Sequence, residues 1–445
     1  MNFFKIGYCR EDFSPDRPVR MNSTKTADHV DEPLCVTALS LYDGEHRVLI
    51  IGMDLRNTYK SFTSQVLPMI VEATGVSEEA VIFTSTHNHN SPEAMVYSDE
   101  AIRDWGDRIA FPAILRAAKA AVADEKEVCA MTGGKAVTEN LNFVRRYLRQ
   151  DGTWSGILSI LYPTLAGGGP NAAPIIAHES EADPELRAVR IRRRDGKDVI
   201  LINYQVHAAG ALRHYPNAIN ADFVGPLRDE LEKDGDALVL YLQGACGNIN
   251  YSTRIQAEKH LPKQHYWEVG QALAEATRQA LATGQAMQWG KLQLRTEMLP
   301  CGVNHLRDHL APIAKEIDAE TDPEKQEAMM KEAGIMGRLD RKAIILRASL
   351  PEIQPMELAS VSFGDLGMAF APLEMFDVNG KQLRNASPFP MTFSCGYSLN
   401  THGYLPSHEM FAHGEYEAYV CRFIPGTGES VALALCAQLQ DMKKV

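Results

Sequence analysis

The chain has 445 residues, of which 45% are hydrophobic, so it is long enough to bury a large core. Its formal net charge of −12, without a lysine- and arginine-rich tract, argues against a nucleic-acid-binding surface, which needs clustered positive charge to displace counterions. No apolar run is long enough for a membrane helix, and the opening MNFFKIGYCREDFSP lacks the pattern of a signal peptide. We therefore expect a cytoplasmic protein without membrane insertion that acts on a small molecule. Its oligomeric state stays open, a homo-oligomer included.

Strand-like and helical segments alternate along the first part of the chain. Residues 48–53 and 81–83 are apolar runs typical of buried strands, whereas residues 62–74 and 105–124 have the pattern of helices. This alternation predicts an α/β protein with mixed layers. Because the sequence shows neither a repeat nor a linker that divides it, we expect a single large domain, residues 1–445.

The predicted strand 81–83 leads into two histidines, His87 and His89, in the segment THNHN. Histidine is the commonest metal ligand in proteins, and zinc is often bound by it. Residues two apart on an extended strand point to opposite faces, so both rings reach one ion only if the backbone turns between them. We therefore expect one metal ligand and one neighbouring residue. The alternative is two hydrogen-bonded polar residues in a turn.

Two further apolar runs end at residues with possible chemistry. Residues 199–206 follow a hairpin-like RDGK segment and end at His207, so a third histidine stands where a strand ends. His207 is either a buried core histidine or a ligand, and the likeness to the position of His87 favours the ligand. Residues 237–241 precede the turn QGACGN, which contains Cys246. Cys246 is either a nucleophile or a small residue packed under the turn, and the second is favoured because no histidine follows locally as a base.

Residues 305–345 are rich in Glu, Lys, Ala and Met and carry few turn signals. The pair Asp322-Pro323 is typical of a helix N-cap followed by proline at the first helical position. We expect an exposed helical excursion in this part of the domain.

An acidic residue and two tyrosines follow in turn-like segments. Glu374 ends the apolar run 368–373, where a carboxylate has to be hydrated, paired or coordinated. Tyr404 and Tyr416 lie in turns marked by glycine and proline. Two histidines, a glutamate and a tyrosine phenolate can together bind Zn²⁺ and leave one position for water.

The order of these segments resembles the N-terminal catalytic domain of the neutral/alkaline non-lysosomal ceramidase family. The resemblance covers most of the chain and implies the mixed-sheet fold of that domain. The matching segments are the opening from Gly7 to Pro15, DEPL at 31–34, THNHNSP at 86–92 for the family's THTHSGP, DPE at 183–185, the strand that ends at His207, the turn 244–250, PLE at 372–374, GY at 403–404 and YE at 416–417.

The resemblance also implies roles for individual residues. The implied zinc ligands are His87, His207, Glu374 and Tyr404. His89 matches the second histidine of the motif and is implied to line the site as a catalytic group. Arg145, in the segment NFVR, resembles the family's Asn-x-x-Arg and is implied to bind substrate oxygen atoms through its fork of donors. The alternative for Arg145 is a surface cation, since Arg146 and Arg149 lie beside it.

The chain departs from the family pattern at one position with a chemical role. The ceramidases carry a serine, used in amide cleavage, in a GDVSPN turn, and Asn250 stands in its place here. We expect Asn250 and Cys246 to line the substrate site. We also expect no β-sandwich tail of the kind that the longer members carry.

We therefore expect a zinc-dependent hydrolase that uses metal-activated water to cleave an amide, ester or lactone bond in a small polar molecule, such as a sugar derivative. One alternative is a metal-dependent lyase or epimerase on the same site. The other is a non-catalytic descendant that binds zinc or a ligand.

Overall fold

The computed structural model describes residues 3–21, 25–260 and 265–444. Within these ranges, β-sheets are flanked by helices, which confirms the mixed α/β architecture. None of the helices in the described ranges has the length and apolar character required to cross a lipid bilayer.

The strands vary from short bridging pairs to runs of twelve residues, and in chain order they are β1 (Lys5–Asp12), β2 (Val19–Met21), β3 (Lys25–Ala27), β4 (His29–Val30), β5 (Cys35–Tyr42), β6 (Arg47–Met53), β7 (Val81–Ser85), β8 (Lys126–Val137), β9 (Phe143–Val144), β10 (Tyr147–Arg149), β11 (Trp154–Ser155), β12 (Ile175–His178), β13 (Glu185–Arg193), β14 (Asp198–Tyr204), β15 (Ala218–Ile219), β16 (Ala237–Gln243), β17 (Ile249–Asn250), β18 (Gln285–Ala286), β19 (Leu292–Gly302), β20 (Ile353–Phe363), β21 (Leu366–Phe370), β22 (Glu374–Met375), β23 (Met391–Cys395) and β24 (Tyr404–Leu405).

The α-helices are α1 (Lys60–Thr74), α2 (Glu100–Trp105), α3 (Phe111–Ala123), α4 (Ile157–Leu161), α5 (Ala211–His214), α6 (Val224–Glu232), α7 (Tyr266–Ala282), α8 (Ala311–Ala319), α9 (Pro323–Glu332), α10 (Arg338–Arg347), α11 (Asp377–Ala386), α12 (His408–Ala412), α13 (Glu415–Val420) and α14 (Thr427–Lys443).

The large sheet has the strand order β16-β14-β13-β8-β1-β5-β6-β7, with β18 added beside β8. Its outermost pairs, β14 with β16 and β6 with β7, are parallel, and the other pairs are antiparallel. Every residue of β14 is buried, because this strand is covered on both faces, which explains its unbroken apolar sequence.

Two sheets and two sets of helices make four layers. The second sheet, β19-β20-β21-β23, shares a core with the large sheet, and Phe4 stacks on Phe363 with ring centroids 5.0 Å apart. Helices α3 and α7 contact the large sheet, whereas α14 lies on the second sheet beside α11. This layering buries the apolar faces of all these elements.

The large sheet curls until its two ends meet. Strands β7 and β16 stand at opposite ends of the strand order, yet they contact each other. Gly52 of β6 permits the approach, because a Cβ atom there would lie 2.9 Å from Leu240 Cδ1 of β16. The curl therefore brings together strand ends that are far apart in the sheet order.

A side chain at the end of β16 ties two of these strand ends together. Gln243 Nε2 donates to the carbonyl oxygen of Thr86 at 3.0 Å and to that of Val206 at 2.9 Å. Thr86 and Val206 directly precede His87 and His207. The two histidines predicted as ligands are thus brought to one place by the sheet itself.

Residues 305–345 form helices as predicted, in α8, α9 and the first part of α10. Asp322 caps α9 by accepting from the backbone N–H groups of Glu324 and Lys325 at 3.0 and 3.4 Å, with Pro323 as the first helical residue. The apolar side chains of these helices form a cluster of their own, separate from the core between the sheets.

Candidate metal centre

The backbone turns at His87, which allows both histidines of the THNHN segment to face the same point. His87 has φ +61°, in the left-handed region that non-glycine residues seldom adopt. The flanking hydrogen bonds from Asn88 N to Leu55 O at 3.1 Å and from His89 N to Ala208 O at 2.9 Å hold the turn. His87 Nε2 and His89 Nε2 lie 3.2 Å apart. The two rings therefore face the same point, and they do not lie on opposite faces as they would on an extended strand.

Three imidazoles meet at this point. His207 joins the pair, and each of the three histidines offers a ring nitrogen within 4.8 Å of those of the other two. His87 and His207 are each 1% exposed, whereas His89 is half-buried. His89 is therefore the most accessible member of the cluster.

Backbone carbonyls orient the two fully buried rings. Nδ1 of His87 donates to the carbonyl oxygen of Arg56 at 2.7 Å, and Nδ1 of His207 donates to that of Cys246 at 2.7 Å. The tautomer is assigned from these partners, and it leaves the Nε2 lone pair of each ring directed into the cluster. This orientation is the one that metal-ligating histidines adopt.

The electrostatic environment keeps all three rings neutral. Burial lowers the pKa of His87 and His207 well below the usual range, assisted by the neighbouring histidines and the Arg145 cation. Burial also lowers the pKa of His89 to about 3, with Arg56 and Arg145 adding to the effect. Neutral imidazole is the form that binds metals.

A carboxylate faces the two oriented rings. Glu374 Oε2 lies 3.3 Å from His87 Nε2 and 3.8 Å from His207 Nε2. Within the described residues this buried oxygen accepts no hydrogen bond. Burial raises the pKa of Glu374 to about 7, against the opposing influence of Arg145. A buried carboxylate oxygen without a donor, facing two nitrogen lone pairs, is an arrangement that a divalent cation would complete.

Tyr404 stands beside this carboxylate because β22 and β24 pair in parallel, with Glu374 opposite Tyr404. The Tyr404 phenol hydrogen-bonds Glu374 and accepts from Arg145 Nη2 at 3.1 Å. Burial raises the pKa of Tyr404 well above its usual value, and repulsion from Glu374 adds to this. The phenol is therefore protonated until a cation binds beside it.

Arg145 is buried inside the cluster, so its interpretation as a surface cation is wrong: it is only 5% exposed. Nη1 approaches His207 Nε2 at 3.1 Å, Nη2 donates to Gly247 O at 2.8 Å, and Nε donates to Glu417 at 2.9 Å. Glu417 is shared with Arg146, which also pairs with Glu179. These ion pairs neutralise two of the three arginines in this segment and fix the guanidinium of Arg145 against the metal ligands.

Cys246 contributes its backbone carbonyl to the site, and its thiol contacts Tyr397 beside the histidine cluster. The side chain is fully buried and its Sγ lies 3.1 Å from the Tyr397 hydroxyl. Burial raises the pKa of the thiol, which keeps it protonated near neutrality. This agrees with the interpretation of Cys246 as a small residue packed under the turn. Asn250 is half-buried in β17, where it pairs with Phe143 of β9, the strand that precedes Arg145.

Three residues of the site were not predicted from the sequence. Tyr397 stacks on the His87 ring with centroids 3.9 Å apart, Glu417 holds Arg145, and Arg56 orients His87 and pairs with Glu93. Arg56 stands just after the strand 48–53, in the same kind of position as His87. That strand-end signal was available for Arg56. Glu417 stands in the YE segment of the resemblance, which gave it no role, and Tyr397 carries no comparable signal.

No protein-family model and no curated protein sequence matches this chain. Solved structures do match: the neutral ceramidase from Pseudomonas aeruginosa is similar over 100% of this chain and 75% of its own, with a TM-score of 0.71 and 15% identity. A ceramidase complexed with C2 is similar over 100% of this chain and 76% of its own, with a TM-score of 0.72 and 15% identity. At this identity the likeness concerns the fold. The chain has the neutral-ceramidase-like fold that the order of its motifs predicted.

Proposed function

We propose that this protein is a zinc-dependent hydrolase that cleaves an amide, ester or lactone bond in a small polar substrate. One observation carries the proposal. The Nε2 lone pairs of His87 and His207 converge on a buried carboxylate oxygen of Glu374 that accepts no hydrogen bond within the described residues. The ceramidase-like fold supports hydrolysis as the reaction class.

The donor set suits zinc. Two neutral imidazoles, a carboxylate and the Tyr404 phenol combine nitrogen and oxygen ligands for a borderline-soft ion. When bound, zinc supplies a water whose pKa is lowered to about 7 and polarises the carbonyl that it faces. We take His87, His207, Glu374 and Tyr404 as the residues that hold it.

His89 is proposed to act on water or substrate rather than to hold the ion. Its ring is half-buried, and within the described residues neither of its nitrogens bonds a backbone carbonyl, unlike Nδ1 of His87 and of His207. A ring without that restraint can reorient. It is placed to orient the attacking water and to pass a proton to the leaving group.

Arg145 is proposed to bind the oxygen on which negative charge develops. Its Nη1 now shares the His207 Nε2 lone pair, and one lone pair cannot serve a guanidinium donor and a metal ion at once. Metal binding would therefore release Nη1, while Glu417 and Gly247 hold the rest of the guanidinium in place. The released donor is then available to the substrate.

Purified protein is expected to contain about one zinc per chain and to hydrolyse small esters, amides or lactones in a chelator-sensitive manner. Metal analysis and a panel of acylated sugars and lactones, with long-chain ceramide as the comparison, test this. Chelation should abolish turnover and added zinc should restore it. Full activity in metal-free protein would remove the metal from the proposal, and an isomerised rather than hydrolysed product would favour the lyase or epimerase alternative.

Cys246→Ala is expected to retain most of the activity, and no covalent acyl-enzyme should accumulate, because the thiol is buried, protonated and directed to Tyr397. Pre-steady-state kinetics and mass spectrometry of quenched reactions measure both. Burst kinetics that disappear in Cys246→Ala, or an acyl adduct on Cys246, would show covalent catalysis instead.

A further inference from the structure

Two arginines outside the metal centre donate to one hydroxyl group. Arg149 Nη2 donates to Ser155 Oγ at 3.2 Å, and Arg254 Nη1 donates to the same oxygen at 3.1 Å. Ser155 Oγ also lies 2.7 Å from Ser159 Oγ, which donates to the Gly156 carbonyl. The Ser155 hydroxyl can therefore use both lone pairs for the arginines and its proton for Ser159.

Among the residues that the structure describes, Arg149 and Arg254 have no carboxylate partner, in contrast to Arg145 and Arg146. Within the described residues, no carboxylate oxygen lies within the 4.0 Å ion-pair distance of either Arg149 or Arg254. Their other side-chain hydrogen bonds also go to neutral groups, since Arg149 Nη1 donates to Gly167 O at 2.6 Å and Arg254 Nη1 donates to Gly156 O at 3.4 Å. Arg254 also lies over the Tyr147 ring at 5.7 Å. Two positive charges thus share a neutral partner.

This arrangement is unfavourable without an anion. Arg149 is only 5% exposed, and Arg254 is half-buried. Burial and repulsion from Arg149 lower the pKa of Arg254, with Glu415 as the opposing carboxylate. Glu415 forms no ion pair with either arginine within the described residues, and its Oε2 accepts from Leu158 N at 3.2 Å. An incoming anion would offset the repulsion between two guanidinium groups.

Both arginines follow closely in the sequence on residues assigned to the candidate site. Arg149 lies four residues after Arg145, and Arg254 lies four residues after Asn250. Four residues span at most about 14 Å. This limit on the separation along the chain is the basis on which we link the two arginines to a substrate held at the metal centre.

We propose that Arg149 and Arg254, together with Ser155, form a subsite for an anionic group, a phosphate or a carboxylate, carried by the substrate. The link to substrate rests on the proposed function, whereas binding of the anion does not. Arg149 is fixed from one side by the Gly167 carbonyl, and the half-buried Arg254 provides the accessible donors. The subsite would select substrates by the charge at the end remote from the scissile bond.

Anion binding can be measured by titrating the protein with inorganic phosphate and with acetate in a calorimeter. We expect binding of at least one of these ions in the unmodified protein and in His207→Ala, and at least tenfold weaker binding in Arg254→Gln and in Arg149→Gln. Arg213→Gln is the matched control, because Arg213 also donates to a serine hydroxyl, that of Ser252 at 2.8 Å, but is exposed. Unchanged affinity in Arg254→Gln, equal loss in Arg213→Gln, or loss of binding in His207→Ala would overturn the subsite. The ion bound more tightly identifies phosphate or carboxylate as the preferred group.

A second arm measures the link to turnover with pairs of small esters that differ only in a terminal anionic group or its neutral amide. The unmodified protein should prefer the anionic ester at least tenfold in kcat/KM, and Arg254→Gln should lose that preference through KM with kcat retained. Arg254→Lys keeps the charge and should retain part of the preference for the anionic ester. This result would show that the loss in Arg254→Gln is not caused by misfolding. Equal preference in Arg254→Gln would overturn the substrate role. If no ester is turned over at all, the proposed function fails, while phosphate or acetate binding still decides the subsite.

Discussion

Replacing His207 by alanine is expected to remove the zinc and abolish turnover together. His207 Nε2 points into the cluster because Nδ1 is fixed by the Cys246 carbonyl, and this orientation suits a metal ligand. The loss of one of four ligands should weaken zinc binding by more than about 100-fold. Zinc content and activity should be measured on the same sample, with circular dichroism to show that the variant is folded.

His89→Ala is expected to keep the zinc and to lose turnover by about 10²- to 10⁴-fold, the range for removal of a general acid or base. The half-buried His89 ring lacks the carbonyl restraint found for His87 and His207. His305→Ala is the matched control, because His305 lies beside Asp308 in the helical excursion and should affect neither property. Equal loss of zinc in His89→Ala and His207→Ala would make His89 a ligand.

Glu374→Gln is expected to abolish zinc binding and, unusually for a buried position, to stabilise the metal-free protein at pH 8. Glu374 Oε2 is buried without a donor, whereas the glutamine amide can donate to His87 Nε2, which lies 3.3 Å from that oxygen. Activity should be lost with the metal. The stability difference between the two metal-free proteins is the informative measurement.

The sign of this effect depends on pH. Burial raises the pKa of Glu374 from 4.5 to about 7, so its neutral form is favoured in the folded state. The stability that the protonated Glu374 side chain contributes to the folded state is fully present below pH 4.5, and it is lost as the pH rises through about 7. A shift of this size corresponds to about 3 kcal/mol, or roughly 3 °C in Tm for a chain of this length.

Thermal unfolding of the two metal-free proteins from pH 5 to pH 8 checks the expectation. The Glu374→Gln variant should be the more stable at pH 8, and the advantage should shrink towards pH 5. Unmodified protein should also bind zinc more weakly as the pH falls below about 7, because Glu374 must release its proton to the solvent before it coordinates. A variant that is equally less stable at both pH values would show that the carboxylate is satisfied in the metal-free state.

Several parts of the site follow from local patterns in the sequence. His87, His207 and Glu374 each follow an apolar run, and the period and length of such runs predict strands without reference to the rest of the chain. The cap Asp322-Pro323 likewise depends only on neighbouring residues. The order of the motifs predicted the ceramidase-like fold, which solved structures confirm.

The convergence of the ligands depends on contacts between distant segments. The turn at His87 requires a left-handed backbone, and no glycine marks it in the sequence. The burial of Arg145 depends on Glu417, a residue far along the chain whose YE segment matched the family pattern without pointing to an arginine partner. An arginine in a basic run is ordinarily a surface residue, and only the partner brought by tertiary packing decides otherwise.

The sequence by itself determined which chemical groups stand at strand ends, because hydrophobic periodicity is a local property. Only the tertiary structure decided which of those ends meet. The large sheet curls until β7 and β16 are in contact. Gln243 then hydrogen-bonds the carbonyl groups that directly precede His87 and His207. Closure of a sheet depends on twist and on side-chain contacts summed over many strands, and no single segment of the chain encodes it.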